Sequence, residues 1–419
     1  MSGTQPEPIR ILRIITRLNI GGPSIHAALL STGLDPRAFS TCLVVGEPDA
    51  REGDLSELVH ESRVRLIRVK TLRRPIRPWA DALSLVRLLQ IVWQERPHVI
   101  HTHMAKAGAL GRLAGLLYNR FGPGRRPGAR AILVHTFHGH VLEGYFSPPL
   151  SRFFIIIERW VGRRTDRLIA VSRTIRDELL TKGIGRPAQW QVIPVGLDLS
   201  RLAQVPLPNG SSVPIRIGMV GRLVPIKNPQ LFLDALHQLA RHVPHRSVVG
   251  RLVGDGPLRQ ELEREAKRLG LDGVVQFAGW QRDLPSVYEG LDVVCLTSLN
   301  EGTPVALIEA MAAGRPVIGT DVGGVRDLLL EPGEAVPRAI DHGQFHLTRR
   351  GILVRSGDAD GLAASLELLV QDGALRTRLG EAGRAYALRV FGHHRLVQDI
   401  SSLYEHLPGQ QRGGARCTS

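Results

Sequence analysis

The 419-residue sequence contains few cysteines, few aromatic residues and almost no lysine. Its three cysteines, Cys42, Cys295 and Cys417, are odd in number and far apart, which argues against a disulfide framework and a CxxC metal knuckle. No apolar run approaches the roughly 18 residues of a membrane-spanning helix. The polar start MSGTQPEPIR contains no signal-peptide core. These absences predict a cytoplasmic protein in a reducing compartment.

Positive charge is abundant, and nearly all of it comes from arginine. The formal net charge is +15, although lysine occurs at only five positions. Genomic codon bias is one explanation, and nucleic acid, anionic lipid headgroups or a phosphorylated substrate are the others. Aromatic residues make up only 5% of the chain. Because no nucleic-acid-binding module is recognisable either, we predict no nucleic-acid partner.

Two basic stretches combine arginine with aromatic residues. They are TLRRPIRPW, residues 71–79, and SPPLSRFFIIIERWVGRRTDR, residues 147–167. Such segments are typical of contact with an anionic membrane surface. The second stretch equally fits a buried helix with one charged face.

Short apolar runs alternate with helical stretches along nearly the whole chain. The pattern begins near Arg10 and restarts near Val213, after the Pro-, Gly- and Ser-rich stretch PVGLDLSRLAQVPLPNGSSVP. Such alternation predicts parallel sheets covered by helices on both faces. We therefore predict an α/β protein of two facing doubly wound domains, with ligands beyond the carboxyl ends of the strands. The predicted bounds are 9–195 and 214–385 for the domains, 196–213 for a linker, 386–407 for a helical segment returning to the first domain, and 1–8 and 408–419 for disordered ends.

Two glutamates, Glu301 and Glu309, lie eight positions apart in NEGTPVALIEAMAAGRPVIGT. On one helix they would be roughly 12 Å apart, too far for one catalytic pair. Thr303 is a good N-cap and Pro304 suits the first helical position, which places Glu301 in a loop and Glu309 in the helix. Both acids can then face one elongated ligand, such as a sugar, a diphosphate and a ribose in a row.

Two cations, Arg222 and Lys227, lie between a predicted strand ending at Gly221 and a helix beginning near Asn228. A planar guanidinium grips two phosphate oxygens at once, while a lysine supplies a mobile point charge. The pair is suited to neutralise a departing diphosphate without a metal. The alternative is that both are solvated surface cations.

Gly21 and Gly22 follow the first predicted strand and precede a helix. Glycines at such a place let the backbone approach a phosphate closely, although most GG pairs are only turns. The third glycine of a dinucleotide fingerprint is missing here.

Histidines cluster at two predicted strand ends, in HTH at 101–103 and HTFHGH at 135–140. No HExxH motif or cysteine set accompanies them, so we predict no metal site. His138, followed by Gly139, is best placed to hydrogen-bond a bound sugar, and the other histidines are explained as satisfied polar groups. Asp358 and Asp360 have a DxD spacing but precede a helix, so we predict an ordinary helix cap.

The sequence resembles family 4 of retaining glycosyltransferases, which have the GT-B fold, from roughly Ile9 to Leu407. The E-x7-E pattern of Glu301 and Glu309 in EGTPVALIEAMAAGRPVI is the strongest motif, supported by VGRLVPIKN, LVGDGPLR and VSRTIRDEL. THMAKAGALGRLAG and HTFHGHVLEGYFSPPLSRFFIIIERW resemble the bacterial branch associated with cell-surface polysaccharide assembly.

The resemblance implies a metal-independent transfer, with retention, from a nucleotide-diphosphate sugar to a lipid-linked or glycan acceptor. A UDP-linked donor is the first expectation, and the basic N-terminal half suits an acceptor at the inner face of the cytoplasmic membrane. The implied roles are donor-sugar binding by Glu301 and the backbone of Gly302 and Thr303, ribose binding by Glu309, a diphosphate clamp of Arg222 and Lys227, a donor-sugar contact by His138, and a phosphate loop at Gly21 and Gly22.

Two other functions remain open on the sequence alone. A nucleotide-sugar 2-epimerase acting on UDP-GlcNAc has a similar two-domain architecture and needs no acceptor. An arginine-rich nucleic-acid binder or an inactive partner subunit belongs to a different class. The combination of Glu301, Glu309, Arg222 and Lys227 argues against an inactive subunit.

Overall fold

The computed structural model describes residues 7–19, 21–48, 56, 59, 64–139, 148–208, 214–243, 248–331, 334 and 339–413. The chain divides into two units. The N-terminal unit comprises Met1–Leu197 and His393–Ser419, and the C-terminal unit comprises Asp198–Gly392. Of the predicted disordered ends, residues 1–6 and 414–419 lie outside the described residues.

The N-terminal unit contains a seven-stranded sheet in which every neighbouring pair is parallel. The strand order is β3-β2-β1-β4-β5-β6-β7. The chain adds β2 and β3 on one side of β1 and the later strands on the other, so the switch point lies between β1 and β4. The strands are β1 (Ile9–Ile15), β2 (Phe39–Gly46), β3 (Arg65–Val69), β4 (Val99–His103), β5 (Ile132–Phe137), β6 (Arg167–Ala170) and β7 (Trp190–Val192). Among the described residues, the helices of eight or more residues are α1 (Gly22–Thr32), α2 (Pro78–Glu95), α3 (Ala105–Phe121), α4 (Pro148–Gly162), α5 (Arg173–Thr181) and, from the end of the chain, α13 (His393–Gly413).

Alternate residues of β1 belong to two different hydrophobic cores, because successive strand side chains point to opposite faces. Leu12 packs in a core with α2 and α3. Ile11 packs in another with α1 and with Leu396 and Ile400 of α13. The last helix of the chain therefore covers one face of the first sheet.

The C-terminal unit repeats this architecture with the order β10-β9-β8-β11-β12-β14-β13, and all its pairs are parallel except β13 with β14. Its strands are β8 (Ile215–Val220), β9 (Val248–Val253), β10 (Val275–Gly279), β11 (Val293–Leu296), β12 (Val317–Thr320), β13 (Phe345–Leu347) and β14 (Ile352–Val354). Its helices are α6 (Pro229–His242), α7 (Arg259–Arg268), α8 (Leu284–Glu289), α9 (Val305–Ala312), α10 (Gly324–Leu329), α11 (Ala359–Gln371) and α12 (Gly373–Phe391).

The predicted doubly wound α/β architecture is confirmed in both units. One helix differs from prediction at its end: α13 continues to Gly413, six residues past Leu407 and into the predicted tail. Extending a formed helix adds one hydrogen bond per residue, which favours its continuation. Among the described residues, no helix has both the length and the apolar character required to span a bilayer.

Candidate active site

The loop after β8 carries the predicted cations at the carboxyl edge of the second sheet. Gly221 follows the strand, and a Cβ on Gly254, at the end of neighbouring β9, would lie only 1.9 Å from the Gly221 carbonyl oxygen. Gly254 also has a φ of 134°, a region that favours glycine. The two strand ends therefore approach as closely as backbone allows. Lys227 ends a short 3₁₀ turn, Pro225–Lys227, immediately before α6.

Lys227 and Glu301 meet in the structure. Glu301 follows β11 and is 8% exposed. Its Oε1 accepts hydrogen bonds from Lys227 Nζ and, at 2.6 Å, from Ser298 Oγ. The Lys227 carbonyl accepts a hydrogen bond of 2.9 Å from Thr297 Oγ1, which fixes the loop after β8 to the end of β11. A cation and an acid are thus held together at neighbouring strand ends, where a ligand can compete for either.

The backbone of Glu301 is fixed by a second close approach. Gly323 has a φ of 46°, and a Cβ there would lie 2.0 Å from the Glu301 carbonyl oxygen. The same carbonyl accepts a hydrogen bond of 3.1 Å from the Gly324 amide at the start of α10. Any larger residue at position 323 would displace Glu301.

Arg222 is exposed, unlike Lys227. Within the part of the chain that the structure describes, its guanidinium has no hydrogen bond or ion pair. It lies in the same loop as Lys227, five residues earlier in the sequence. An unpaired guanidinium at this edge is available to an anion.

Helix α9 begins one residue later than predicted. Pro304, not Thr303, occupies the N-cap position, and Val305 is the first helical residue. The Pro304 carbonyl accepts the amides of Leu307 and Ile308. Thr303 is therefore not the cap, and its Oγ1 is buried with no partner among the described residues. A proline's fixed φ suits a helix start, which explains why the boundary falls beside it. Gly302 lies half-buried immediately before Thr303.

Glu309 lies inside α9, as predicted, and bonds to a residue that the sequence does not single out. Tyr288, on α8, donates a hydrogen bond of 2.8 Å to Glu309 Oε2. Burial raises the pKa of Glu309 to about 7, and the hydrogen bond from Tyr288 opposes that rise. Burial and the neighbouring Glu309 raise the pKa of Tyr288 well above its ordinary value. Glu309 therefore changes charge near neutral pH.

In the N-terminal unit, Gly21 and Gly22 lie at the start of α1, after β1. A Cβ at Gly21 would meet no described atom within 4 Å, so the surroundings of this glycine are open. Both glycines are half-buried.

His138 follows β5, and its Nε2 lies 3.1 Å from Nδ1 of His103 at the end of β4. Its Nδ1 is buried and has no partner among the described residues. The ring of His26, on α1, packs edge-on against it at 4.7 Å between centroids. Burial lowers the pKa of His138 to about 3, so the ring is neutral at physiological pH.

Three of these histidines, His26, His103 and His138, bring ring nitrogens within 4.8 Å of one another. The group has the residue type of a metal site, but both ring nitrogens of His103 already have partners, Arg13 and His138. The Arg13 guanidinium is fully buried beside them. Its charge disfavours a second cation at the same place.

The remaining histidines at the strand ends have partners. His101 Nε2 lies 2.7 Å from Thr136 Oγ1, and His135 Nδ1 lies 2.8 Å from Thr102 Oγ1. His140 lies outside the described residues. The DxD stretch is a helix cap, as predicted, because Asp358 Oδ1 accepts the amides of Asp360 and Gly361 at the start of α11.

Comparison with known proteins identifies the family. The model of "Glycosyl transferases group 1" matches residues 214–372, and that of "Glycosyl transferase 4-like domain" matches residues 21–196. The chain is 30% identical over 283 residues to a UDP-Gal:alpha-D-GlcNAc-diphosphoundecaprenol alpha-1,3-galactosyltransferase of Escherichia coli, covering 65% of this chain and 70% of the relative. The chain belongs to the group 1 glycosyltransferases.

A further relative and a solved structure agree with this assignment. A D-inositol 3-phosphate glycosyltransferase of Streptomyces avermitilis is 30% identical over 332 residues, 73% of this chain and 64% of the relative. The crystal structure of Anabaena Alr3699/HepE with UDP and glucose superposes with a TM-score of 0.72 at 21% identity, covering 95% of this chain and 100% of that one. The fold of this glycosyltransferase is therefore GT-B.

Four residues that contact the predicted site residues escape sequence reasoning, namely Arg13 and His26 in the N-terminal unit and Tyr288 and Ser298 in the C-terminal unit. Tyr288 is separated from its partner by 21 positions and Arg13 from His103 by 90. Ser298, only three residues before Glu301, is the one that local spacing could have revealed.

Proposed function

We propose that this glycosyltransferase transfers a sugar from a UDP-linked donor to a lipid-linked or glycan acceptor, with retention and without a metal. The observation that carries the proposal is the meeting of Lys227 with Glu301 at the carboxyl ends of β8 and β11, with the free guanidinium of Arg222 in the same loop. The names of relatives support the donor, since the Escherichia coli enzyme is named for UDP-Gal and the HepE structure contains UDP.

In the proposed reaction Lys227 and Arg222 bind the diphosphate. Cleavage of the sugar–phosphate bond leaves an oxocarbenium-like sugar and a more negative diphosphate, so preorganised cations bind more strongly as charge develops. Glu301 and the backbone of Gly302 and Thr303 hold the sugar hydroxyls. The contact between Lys227 and Glu301 holds both side chains in position until the donor separates them.

The remaining roles concern the rest of the donor. Glu309 accepts hydrogen bonds from the ribose hydroxyls, for which its ionised form is the better acceptor. His138 contacts the donor sugar, and the backbone at Gly21 and Gly22 approaches a phosphate. We assign no general base, because the departing phosphate itself can take the proton of the acceptor.

A panel of nucleotide sugars tests this proposal. Each donor is scored by the thermal shift of the protein and by nucleotide release with and without candidate acceptors. A donor that binds the native state raises its stability by RT ln(1 + [L]/Kd), so UDP-sugars should give the largest shifts. No shift with any UDP-sugar, together with a shift by GDP-sugars, would contradict the choice of base.

The same panel separates transfer from epimerisation. A 2-epimerase converts UDP-GlcNAc without an acceptor and leaves the nucleotide attached. A transferase releases UDP only as acceptor is glycosylated. Conversion of UDP-GlcNAc in the absence of acceptor would therefore favour the epimerase.

We also propose that the N-terminal unit contacts an anionic membrane, as a lipid-linked acceptor requires. Of fifteen exposed large hydrophobic side chains among the described residues, ten lie between positions 76 and 160. Phe153, Ile156 and Trp160 occupy one face of α4 at helical spacing. Residues 71–170 carry sixteen Lys or Arg against five Asp or Glu. Aromatic and basic residues on one helix surface are typical of interfacial binding.

Vesicle sedimentation tests the membrane contact. The protein should bind phosphatidylglycerol vesicles more strongly than phosphatidylcholine vesicles, and salt should weaken the binding. The double variant Phe153→Ser, Trp160→Ser should bind about tenfold more weakly. Trp280→Ser, which changes a similarly exposed tryptophan of the C-terminal unit, is the control. Equal binding by all three proteins would reject the contact.

A further inference from the structure

A fully buried guanidinium lies at the centre of the N-terminal histidine cluster, without a carboxylate. Arg13, on β1, is 0% exposed. Its Nη1 lies 3.3 Å from His101 Nδ1 and 3.4 Å from His103 Nε2, and its Nη2 lies 3.4 Å from the Leu30 carbonyl oxygen of α1. Among the described residues no acid pairs with Arg13. Its acceptors are therefore neutral groups.

Another buried arginine of the same unit shows the ordinary arrangement. Arg112 is also 0% exposed, and its Nη2 donates to both oxygens of Glu158 at 2.8 and 2.7 Å. Buried charges normally have such a partner, because an unpaired one is costly. The absence of an acid beside Arg13, within the described part of the chain, points to a purpose other than pairing charge.

The direction of the hydrogen bonds follows from the chemistry of arginine. A guanidinium only donates, so His103 Nε2 must accept. A neutral imidazole then carries its proton on Nδ1. Burial and the neighbouring cation lower the pKa of His103 well below its ordinary value, so the neutral form is the one present. His103 Nδ1 therefore donates to His138 Nε2, 3.1 Å away.

The same reasoning continues one ring further. Because His138 Nε2 accepts, its proton lies on Nδ1, the nitrogen that is buried without a partner among the described residues. Both ring nitrogens of His26, packed against His138, are likewise buried and unpartnered there. Buried polar atoms normally have a partner, so this group of orphan nitrogens marks a place for a ligand oxygen.

We propose that Arg13 and His103 are positioning residues that lock His138 in the Nδ1–H tautomer, so that it donates a hydrogen bond to an oxygen of the ligand. The assignment of that oxygen to a donor-sugar hydroxyl rests on the proposed function. The assignment of the tautomer does not depend on that function. Without Arg13, His103 is free to take either tautomer, and His138 would present a donor in only part of the molecules.

Proton–nitrogen correlation spectra of the full-length protein, labelled in histidine, test the tautomers directly. Protonated and unprotonated ring nitrogens have well-separated shifts, and the variants His103→Gln and His138→Gln assign the signals. We expect His103 and His138 both protonated on Nδ1 in the unliganded wild-type protein. A proton on Nε2 of either ring would overturn the proposal, whether or not any sugar is transferred.

Kinetics of Arg13→Met test the positioning role. Methionine is apolar and of similar length, so the variant removes the donor without leaving a buried unpaired charge. We expect kcat/KM for the UDP-sugar to fall in proportion to the share of molecules that lose the Nδ1–H tautomer, about twofold if the two tautomers are equally populated, while UDP alone binds as tightly as to wild type. In the spectra, His138 should show both tautomers.

His135→Gln is the matched control, since His135 is equally buried but bonds to Thr102 instead of this chain of rings. It should leave the tautomer of His138 unchanged. An Arg13→Met protein with one His138 tautomer and unchanged kcat/KM would overturn the role of Arg13. If wild type turns over no nucleotide sugar, the proposed function fails, and the spectra still decide the tautomers.

Discussion

The two units of the protein give a cation opposite kinds of partner, although Lys227 is half-buried and Arg13 fully buried. In the C-terminal unit, Lys227 pairs with the carboxylate of Glu301. In the N-terminal unit, the acceptors of Arg13 among the described residues carry no carboxylate: they are two histidines, a carbonyl and the hydroxyl of Tyr404. An ion pair can exchange its partner for a ligand of the same charge. Neutral histidine rings that are hydrogen-bonded in series cannot do so, but they fix which atoms donate and which accept.

The two units also differ in how their buried groups respond to pH. Burial keeps the N-terminal histidines neutral, with the pKa of His138 at about 3. In the C-terminal unit the pKa of Glu309 is raised to about 7. A change of pH between about 5 and 9, or removal of a charged side chain of the C-terminal unit, should therefore affect the C-terminal site and leave the N-terminal histidine cluster unchanged.

The largest effect is expected from removing the cations of the C-terminal unit. Lys227→Ala and Arg222→Ala should each lower kcat by about 10² or more, because one preorganised donor to a developing charge contributes about 3 kcal/mol. Steady-state kinetics with the donor found in the panel measures the loss. Arg264→Ala, which removes an exposed arginine of α7, is the control and should retain wild-type turnover.

Wild-type turnover in both cation variants would reject the diphosphate clamp. A loss in Lys227→Ala alone would restrict the role to the residue that already contacts Glu301. In that case the free guanidinium of Arg222 would be a surface cation, the alternative that the sequence leaves open.

Much of the fold and part of the site could be predicted from local sequence. Strands such as Val293–Leu296 are wholly buried, and their apolar runs between helical stretches indicate parallel sheets. The Thr-Pro start of α9 correctly separates Glu301 in its loop from Glu309 in the helix, with an error of one residue in the cap. These features depend on residues that are neighbours in sequence.

Pairing across strands could not be predicted in this way. Arg13 lies opposite His101 in the parallel register of β1 and β4, and nothing in either stretch reveals that they are adjacent. Tyr288 reaches Glu309 from a different helix. A hydrogen bond between elements requires the strand order, which single-sequence patterns do not give.

A smaller effect, dependent on pH, is expected for Glu309→Gln. The folded protein favours the neutral acid, so the stability contributed by Glu309 is full below its ordinary pKa and is lost as pH rises through about 7. Nucleotide binding should show the opposite trend, because the ionised carboxylate accepts ribose hydroxyls better. At pH 8.5 we expect UDP to bind about ten- to a hundredfold more weakly to the variant.

Calorimetric titration with UDP of the wild type and of Glu309→Gln, from pH 5.5 to 8.5, measures the ratio of their dissociation constants. Ionisation of UDP itself is common to both proteins and cancels. The ratio of dissociation constants should approach one below about pH 6 and rise through about 7. A ratio that does not change with pH would remove Glu309 from ribose binding.

The smallest predicted effect is a displacement of that midpoint by Tyr288→Phe. The hydrogen bond from Tyr288 lowers the pKa of Glu309, so its loss should move the rise in UDP affinity to higher pH and weaken binding a few-fold at pH 7. Tyr404→Phe is the control, because Tyr404 is equally buried but its hydroxyl lies 2.5 Å from His101 in the neutral N-terminal cluster. If both variants displace the midpoint alike, the titrating group is not Glu309, and the contrast between a C-terminal site that titrates near neutral pH and N-terminal histidines that stay neutral loses its main support.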